Sequence, residues 1–153
     1  MLKEIFHTIA AETENYFLLK GIAVKTTIGD LPGGDTGGSR LVLAMQDYGI
    51  DPYLKNHSHL QDEGPEGMPN YAHLISFYFI PYCNDYLEAL HWIETLVELF
   101  EVKPFFQLET NGNMYELAIS IRSTDIAAAQ QFWIARQQTA RPVLFYQARV
   151  SSL

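Results

Sequence analysis

An apolar segment in the middle of the chain constrains the fold more than any other feature. Residues 74–80, LISFYFI, are apolar at odd and at even positions apart from one serine. An extended segment alternates its side chains between two faces, so both faces of this strand need to be covered. The pattern therefore predicts an interior strand of a covered sheet. Pro81 follows and has no N–H to donate, so we expect strand pairing to end at about that residue.

A helix is predicted directly after this strand. Asn84 and Asp85 are residue types that cap helix N-termini, and Glu88 follows three residues after Asp85. From about Tyr86 to Glu101, apolar residues recur at spacings of three and four, with glutamates on the opposite side. The expected apolar stripe consists of Tyr86, Ala89, Leu90, Ile93, Leu96, Val97 and Phe100.

The same reasoning predicts three helices and about six strands in all. One further helix is expected from Leu2 until shortly before Gly21, and another after a cap at Ser123 or Thr124. Asn111-Gly112 predicts a tight hairpin turn. The other strands are expected at Ile22 to Ile28, Arg40 to Gln46, Phe105 to Glu109, Met114 to Arg122 and Val143 to Val150. The order αβββαββαβ is that of an α+β fold with a mixed sheet.

The sequence predicts a single domain over residues 1–153 with two flexible loops. Residues 29–39, GDLPGGDTGGS, contain five glycines, and no internal repeat divides the chain. Residues 49–70 carry no sustained hydrophobic period. Both segments are therefore expected to be mobile connections between strands.

Charge and composition disfavour several classes of function. The net charge is -8 at pH 7, so the surface would repel phosphate backbones, and nucleic-acid binding is not expected. No run approaches the roughly 18 apolar residues of a membrane span, and glutamates interrupt the first residues, where a signal peptide would be apolar. Cys83 is the single cysteine, which excludes an intrachain disulfide and fits a reducing compartment. We expect a cytoplasmic protein without direct membrane insertion.

One loop carries the residue types of a metal site. His57 and His59 lie near Asp62 and Glu63, but in a segment expected to be flexible, where ordering the ligands costs entropy. Glu88 and His91 have the Glu-x-x-His spacing of carboxylate-bridged metal sites, without the second copy that such sites need, so a surface pair is favoured. The glycine-rich loop lacks the Gly-Lys-Ser/Thr ending of a phosphate-binding loop. No metal and no cofactor is predicted.

Cys83 is the strongest candidate for a nucleophile. It lies between the apolar strand and a helix N-terminus, whose dipole would lower the pKa of a thiol. No partner for it can be identified from the sequence, and a buried structural thiol is the favoured interpretation. No catalytic residue is predicted.

The second half of the chain resembles a known protein family. The segments AHLISFYFIPYCNDYLEALHWIETLVELFEVKPFFQL and YELAISIRSTDIAAAQQFWIARQQTARPVLFYQARV are similar to the cap, or tail-terminator, proteins of phage-tail-like contractile injection systems. Trp133 lies in the short helix, and Tyr146 and Arg149 form the Tyr-x-x-Arg pattern of the closing strand. Tyr53-Leu54-Lys55-Asn56 resembles a leucine, basic, asparagine element of that family. About two thirds of the chain is covered, from roughly Leu41 onward.

The resemblance implies a structural role. Proteins of this family form a hexameric ring on the distal end of the inner tube and its sheath and stop their growth, without cofactor or catalytic residues. The partners would be further copies of this chain, the inner tube and the sheath, within an assembled phage-tail-like particle. The interface residues that the resemblance suggests are Tyr53, Lys55, Asn56, Tyr146 and Arg149.

Several alternatives stay open on the sequence alone. The closing strand VLFYQARV or the early strand around Val42 could be an exposed edge to which a partner adds a strand, or both could be interior. The chain could be an adaptor of the same machine, linking sheath, baseplate or membrane-side components. It could also be a small metal- or thiol-dependent enzyme that uses the His57/His59 loop or Cys83.

Overall fold

The computed structural model describes residues 1–29, 38–51 and 72–153. Its helices are α1 (Leu2–Leu19), α2 (Tyr86–Val102) and α3 (Ile126–Ala135); its strands are β1 (Thr26–Ile28), β2 (Arg40–Ile50), β3 (His73–Tyr82), β4 (Phe105–Thr110), β5 (Asn113–Ile121) and β6 (Leu144–Ser152). The six strands form one sheet in the order β1-β2-β3-β6-β5-β4. Strands β1 and β2 pair in parallel and the other pairs are antiparallel. The predicted α+β class and element order are confirmed.

Strand β3 is the interior strand that the apolar segment predicted. It pairs with β2 on one side and β6 on the other. The expected end of pairing at about Pro81 is confirmed, because pairing with β2 ends at Tyr82. Pairing with β6 has already stopped at Phe79, so β3 has only one neighbour at Pro81, and a missing N–H is tolerated there.

The larger core lies between the sheet and helices α1 and α2. Phe77 of β3 is near its centre, with ring centroids 6.2 Å from Phe6 of α1 and 5.7 Å from Tyr146 of β6. Phe17 of α1 meets Trp92 of α2 edge to face at 6.1 Å. Such aromatic pairs add to the stabilisation that the buried apolar area gives.

Helix α3 covers part of the opposite face of the sheet. Phe132 contacts the rings of Tyr78 and Phe145 at 4.9 and 5.2 Å, and Trp133 is buried beside it. The helix has ten residues and covers the half of this face around Tyr78. Toward Arg149 the same face carries polar side chains, and none of the helices in the described ranges covers it.

Helix α1 ends as predicted at Gly21, but the strand after it is shorter than expected. Gly21 has a φ of +78°, and the N–H of Ile22 donates to the carbonyl of Phe17 at 2.9 Å. This is a Schellman-type end, in which a left-handed glycine closes the last turn. Ile22 belongs to that turn, and β1 begins at Thr26, just after Lys25, whose carbonyl accepts a hydrogen bond from the N–H of Leu41 at 2.9 Å.

Strand β2 extends beyond its predicted end at Gln46. A bulge at Gln46 puts Met45 opposite Phe77 and Asp47 opposite Ser76, and pairing continues to Ile50. A bulge inserts one extra residue and shifts the alternation of side chains, which hides the second half of the strand from a period-two search. The loop expected at residues 49–70 therefore begins later; residues 30–37 and 52–71, which hold most of both expected loops, lie outside the described residues.

Helix α2 has its predicted bounds to within one residue, but it buries a different stripe. The buried residues are Ala89, Trp92, Thr95, Leu96, Leu99 and Phe100, while Tyr86 and Leu90 are exposed. The sequence stripe omitted Trp92, whose side chain is the largest on the helix and offers the most apolar area to bury. The observed orientation buries Trp92 against α1 and leaves part of the predicted stripe half-exposed.

The hairpin of β4 and β5 turns at Asn111-Gly112 as predicted. Both residues have positive φ, 53° and 76°, and Thr110 pairs with Asn113 across them. A two-residue turn of this kind matches the twist of the two strands.

Asp125, rather than Ser123 or Thr124, caps helix α3. Its Oδ1 accepts a hydrogen bond from the N–H of Ala128 at 2.6 Å. We expect Asp125→Ala to lower the free energy of unfolding by about 1 kcal/mol, because a helix-end N–H then loses its acceptor. Thr124→Ala is the matched control, with an expected change within about 0.5 kcal/mol. Urea unfolding measures both, and equal effects would refute the cap at Asp125.

Candidate docking surfaces

Tyr146, one of the suggested interface residues, is a core residue. Its side chain is 1% exposed, and its ring lies 4.8 Å from Phe100 and 5.7 Å from Phe77 between centroids. Burial raises the pKa of the phenol, and the charge of Glu101 raises it further. A partner could touch Tyr146 only after the core had opened, so its effect on an interface would be indirect.

Arg149 is accessible on the open half of the sheet face. Its side chain is 52% exposed, and its Nε lies 3.3 Å from Oδ2 of the buried Asp51. Nearby on the same face, Nη1 of Arg122 donates to the Oγ of Ser76 at 2.9 Å. A partner at Arg149 would therefore lie against a polar sheet face rather than along a strand edge.

The structure decides which of the two proposed strands offers an edge. Strand β6 pairs with β3 and β5 over nearly its whole length and is interior. Strand β2 pairs with β1 only through Leu43, and residues 44–50 have no strand on that side within the described ranges. We call residues 44–50 the β2 edge. Unpaired N–H and C=O groups of such an edge can pair with a strand of another chain.

A ring pair supports the far end of the β2 edge. The hydroxyl of Tyr48 and Nδ1 of His73 are hydrogen-bonded at 2.7 Å, and the two rings stack with centroids 5.6 Å apart. Because this contact ties β2 to β3, the edge is held in an extended conformation.

An apolar pocket opens beside the start of the β2 edge. It has a volume of about 520 Å³ and lies under the first turns of α1. The lining residues are Leu2, Lys3, Phe6, His7, Ile28, Gly29, Ala44 and Met45. A strand added along the β2 edge would start where β1 ends, and one of its apolar side chains could enter this pocket.

Sequence reasoning found the strand but missed the pocket. The sequence places Leu2 in a predicted helix, and Ile28 and Met45 in two predicted strands, and none of these patterns predicts that the three residues line one pocket. The sequence predicts a first strand from Ile22 to Ile28, whereas β1 has only three residues and is too short to cover the eleven residues of β2. That length follows from the helix end at Gly21, which a period-two pattern does not reveal.

The remaining suggested sites divide into two groups. Tyr53, Lys55 and Asn56, and the possible metal ligands His57, His59, Asp62 and Glu63, lie outside the described residues. Cys83 is described and buried, and desolvation, with a smaller contribution from Glu88, raises the pKa of its thiol to about 11. This direction is opposite to the lowering that a helix dipole would cause, and the structural interpretation of the thiol stays a prediction. His91 pairs with Glu94 at 3.9 Å rather than with Glu88.

The described part of the chain contains neither a candidate metal site nor a candidate membrane span. Residues 1–29, 38–51 and 72–153 contain no group of three or more metal-ligating side chains. No helix within the same ranges is long and apolar enough to span a bilayer.

Comparison with known proteins gives a likeness in fold. No protein-family model matches the chain, and no curated protein matches it by sequence. Among solved structures, the chain is similar to the sheath/tube terminator of PVC, an extracellular contractile injection system, determined by cryo-EM in the extended state. The TM-score is 0.65 at 15% identity, and the match covers 100% of this chain and 57% of that chain. The whole of this chain thus has the fold of somewhat more than half of the terminator's length. The resemblance inferred from sequence is confirmed at the level of the fold.

Proposed function

We propose that this chain is a structural terminator of a contractile injection system. In this role it forms a ring at the distal end of the inner tube and the sheath and stops their polymerisation. The observation that carries the proposal is the likeness of the whole chain to a sheath/tube terminator.

The proposed role has a physical basis in how tubes grow. Tube and sheath subunits associate through heterologous contacts, and each added subunit offers the same contact to the next one. Growth stops when a component matches one growing end and offers no equivalent end of its own. In our proposal the β2 edge and its apolar pocket provide the matching surface, to which a sheath or tube segment adds a strand.

End-specific binding tests the proposed role. Purified chain carrying a gold label is added to assembled tube–sheath particles lacking their own terminator, and labelled particles are imaged by electron microscopy. We expect label at one end of each particle. Label along the sides, or at the baseplate end, would contradict the terminator role and favour an adaptor.

Met45 offers a variant that separates docking from folding. We expect Met45→Lys to reduce end binding at least tenfold, because a lysine at the mouth of the apolar pocket would have to lose its hydration when a partner docks. Its side chain is 48% exposed, so stability should change by no more than about 1 kcal/mol. Met114→Lys, at a 39% exposed position on β5, is the matched control and should bind normally. Equal end binding by the two variants would exclude the β2 edge as the docking surface.

A further inference from the structure

Two arginines lie against one tyrosine ring at an end of the sheet. Arg40 starts β2 and is opposite Tyr82 of β3, while Arg141 comes from the connection between α3 and β6. The Cζ atoms of Arg40 and Arg141 lie 4.7 and 4.3 Å from the centroid of the Tyr82 ring. We call these three residues the arginine cluster. The ring face attracts each guanidinium, but it carries no negative charge that could neutralise two of them.

Neither arginine has a carboxylate partner within 4.0 Å among the described residues. Nη1 of Arg40 donates to the carbonyl of Gly38, and Nη1 of Arg141 to the carbonyl of Cys83, both at 3.4 Å, which is long for a hydrogen bond. Lys20 and Lys103, by contrast, form ion pairs with Glu98 and Glu12, each with an N–O distance of 2.7 Å. The arginine cluster thus differs from the ordinary ion pairs of this chain.

Burial makes the lack of a carboxylate partner within the described ranges costly for Arg40. Arg40 is 8% exposed, and a guanidinium keeps its charge at every ordinary pH. A buried charge without a partner is destabilising, and two like charges on one ring also repel each other. An incoming carboxylate would meet the half-buried Arg141 first, and the little-hydrated Arg40 would add positive potential with weak screening by water.

Two carboxylates of the chain, Asp85 and Glu88, lie in the same region as the arginine cluster. The charges of Asp85 and Glu88, like that of Arg141, act on the nearby Cys83 thiol. Asp85 is engaged as the cap of α2, where it accepts from the N–H of Leu87 at 3.0 Å. Neither carboxylate forms an ion pair with Arg40 or Arg141 within the described ranges, so both guanidiniums keep capacity for a further acceptor.

We propose that the arginine cluster receives an acidic side chain from a second copy of this chain. The choice of occupant follows from charge: each chain carries -8, so identical copies repel one another unless a positive site on one meets an acidic surface on the next. The arginine cluster of one copy would contact an acidic side chain of the next copy. Such a contact joins two different surfaces and is therefore heterologous, and heterologous contacts can close a ring. This inference deepens the proposed ring-forming role and depends on it for the arrangement of the copies.

Association of the purified chain tests the proposal. Native mass spectrometry and light scattering measure the dissociation constant of the oligomer for wild type, Arg141→Glu and Arg141→Met. We expect wild type to associate, Arg141→Met to raise the dissociation constant about tenfold and Arg141→Glu to raise it further. Arg122→Glu makes the same charge change at an exposed guanidinium bonded to Ser76, and should leave association close to wild type. Thermal unfolding confirms that each variant is folded. If Arg141→Glu does not fold, Arg141→Met still tests the proposal.

Several results would overturn the proposal. A monomeric wild type, equal weakening by Arg122→Glu, or an association insensitive to salt between about 0.05 and 0.5 M would each do so. If inorganic phosphate raises the melting temperature of wild type but not of Arg141→Met, while association is unchanged, the cluster is a site for free anions instead. End binding to particles is measured separately, so a monomer that still labels one end would refute the cluster contact and leave the terminator role standing.

Discussion

Replacing Tyr146 with alanine is expected to lower the free energy of unfolding by about 3–5 kcal/mol, the largest effect of any single substitution considered for this chain. The ring lies between Phe77, Phe79 and Phe100 in the larger core. Truncation removes its apolar area from the core and leaves a cavity that neighbouring rings fill only in part.

The matched variant Tyr146→Phe is expected to be neutral or to stabilise the fold by about 1 kcal/mol. The Tyr146 hydroxyl is buried and has no hydrogen-bond partner among the described residues, so its removal costs no hydrogen bond. Burial raises the pKa of this phenol, so the group stays neutral across the pH range of an ordinary unfolding experiment.

Urea unfolding of the two variants distinguishes packing from hydrogen bonding. Tyr86→Ala, at an exposed position on α2, is the control and should change stability by less than about 0.5 kcal/mol. A loss below about 1 kcal/mol for Tyr146→Ala, or a larger loss for Tyr146→Phe than for Tyr146→Ala, would contradict the placement of this ring in the core.

The core position of Tyr146 determines which residues of β6 are suitable for testing docking. A functional defect of Tyr146→Ala would report loss of stability, whereas Arg149 can be changed with less risk because its side chain is half exposed. Arg149→Ala still removes one ion-pair partner of the buried Asp51, so the stability of this variant has to be measured before a binding defect is assigned to it.

Local features of the fold were predictable where one residue type determines the backbone. Gly21 ends α1 and Asn111-Gly112 turns the hairpin because positive φ angles strongly favour glycine and asparagine. The interior position of β3 followed from an apolar character on both faces, which few other arrangements can cover.

Features that depend on distant residues were not predictable. The stripe that α2 buries is set by the meeting of Trp92 with Phe17, which the helix sequence alone does not contain. The interior position of β6 depends on the strand order of the sheet. The β2 edge exists because β1 is short and pairs with β2 only through Leu43. The register of β2 with β3 places Arg40 opposite Tyr82, and Arg141 reaches the same ring from the connection between α3 and β6.

Cells that make tube and sheath but lack this chain are expected to assemble particles of irregular length. Polymers that grow through heterologous contacts have no intrinsic end, so length is controlled only while a terminator is present. Subunit production should be unaffected, because the proposed role begins at a growing end rather than in the folding of a subunit. Expression of the wild-type chain from a plasmid is the control and should restore uniform particles.

The distribution of particle lengths in electron micrographs tests the terminator role most directly. If the chain is a terminator, particles assembled without it should have a broad distribution of lengths or be open at the distal end. Particle lengths should be uniform when wild type or Met114→Lys is supplied. Met45→Lys should restore uniform length poorly. The terminator role would be contradicted if, in the complete absence of the chain, particles had normal lengths and were closed normally at the distal end.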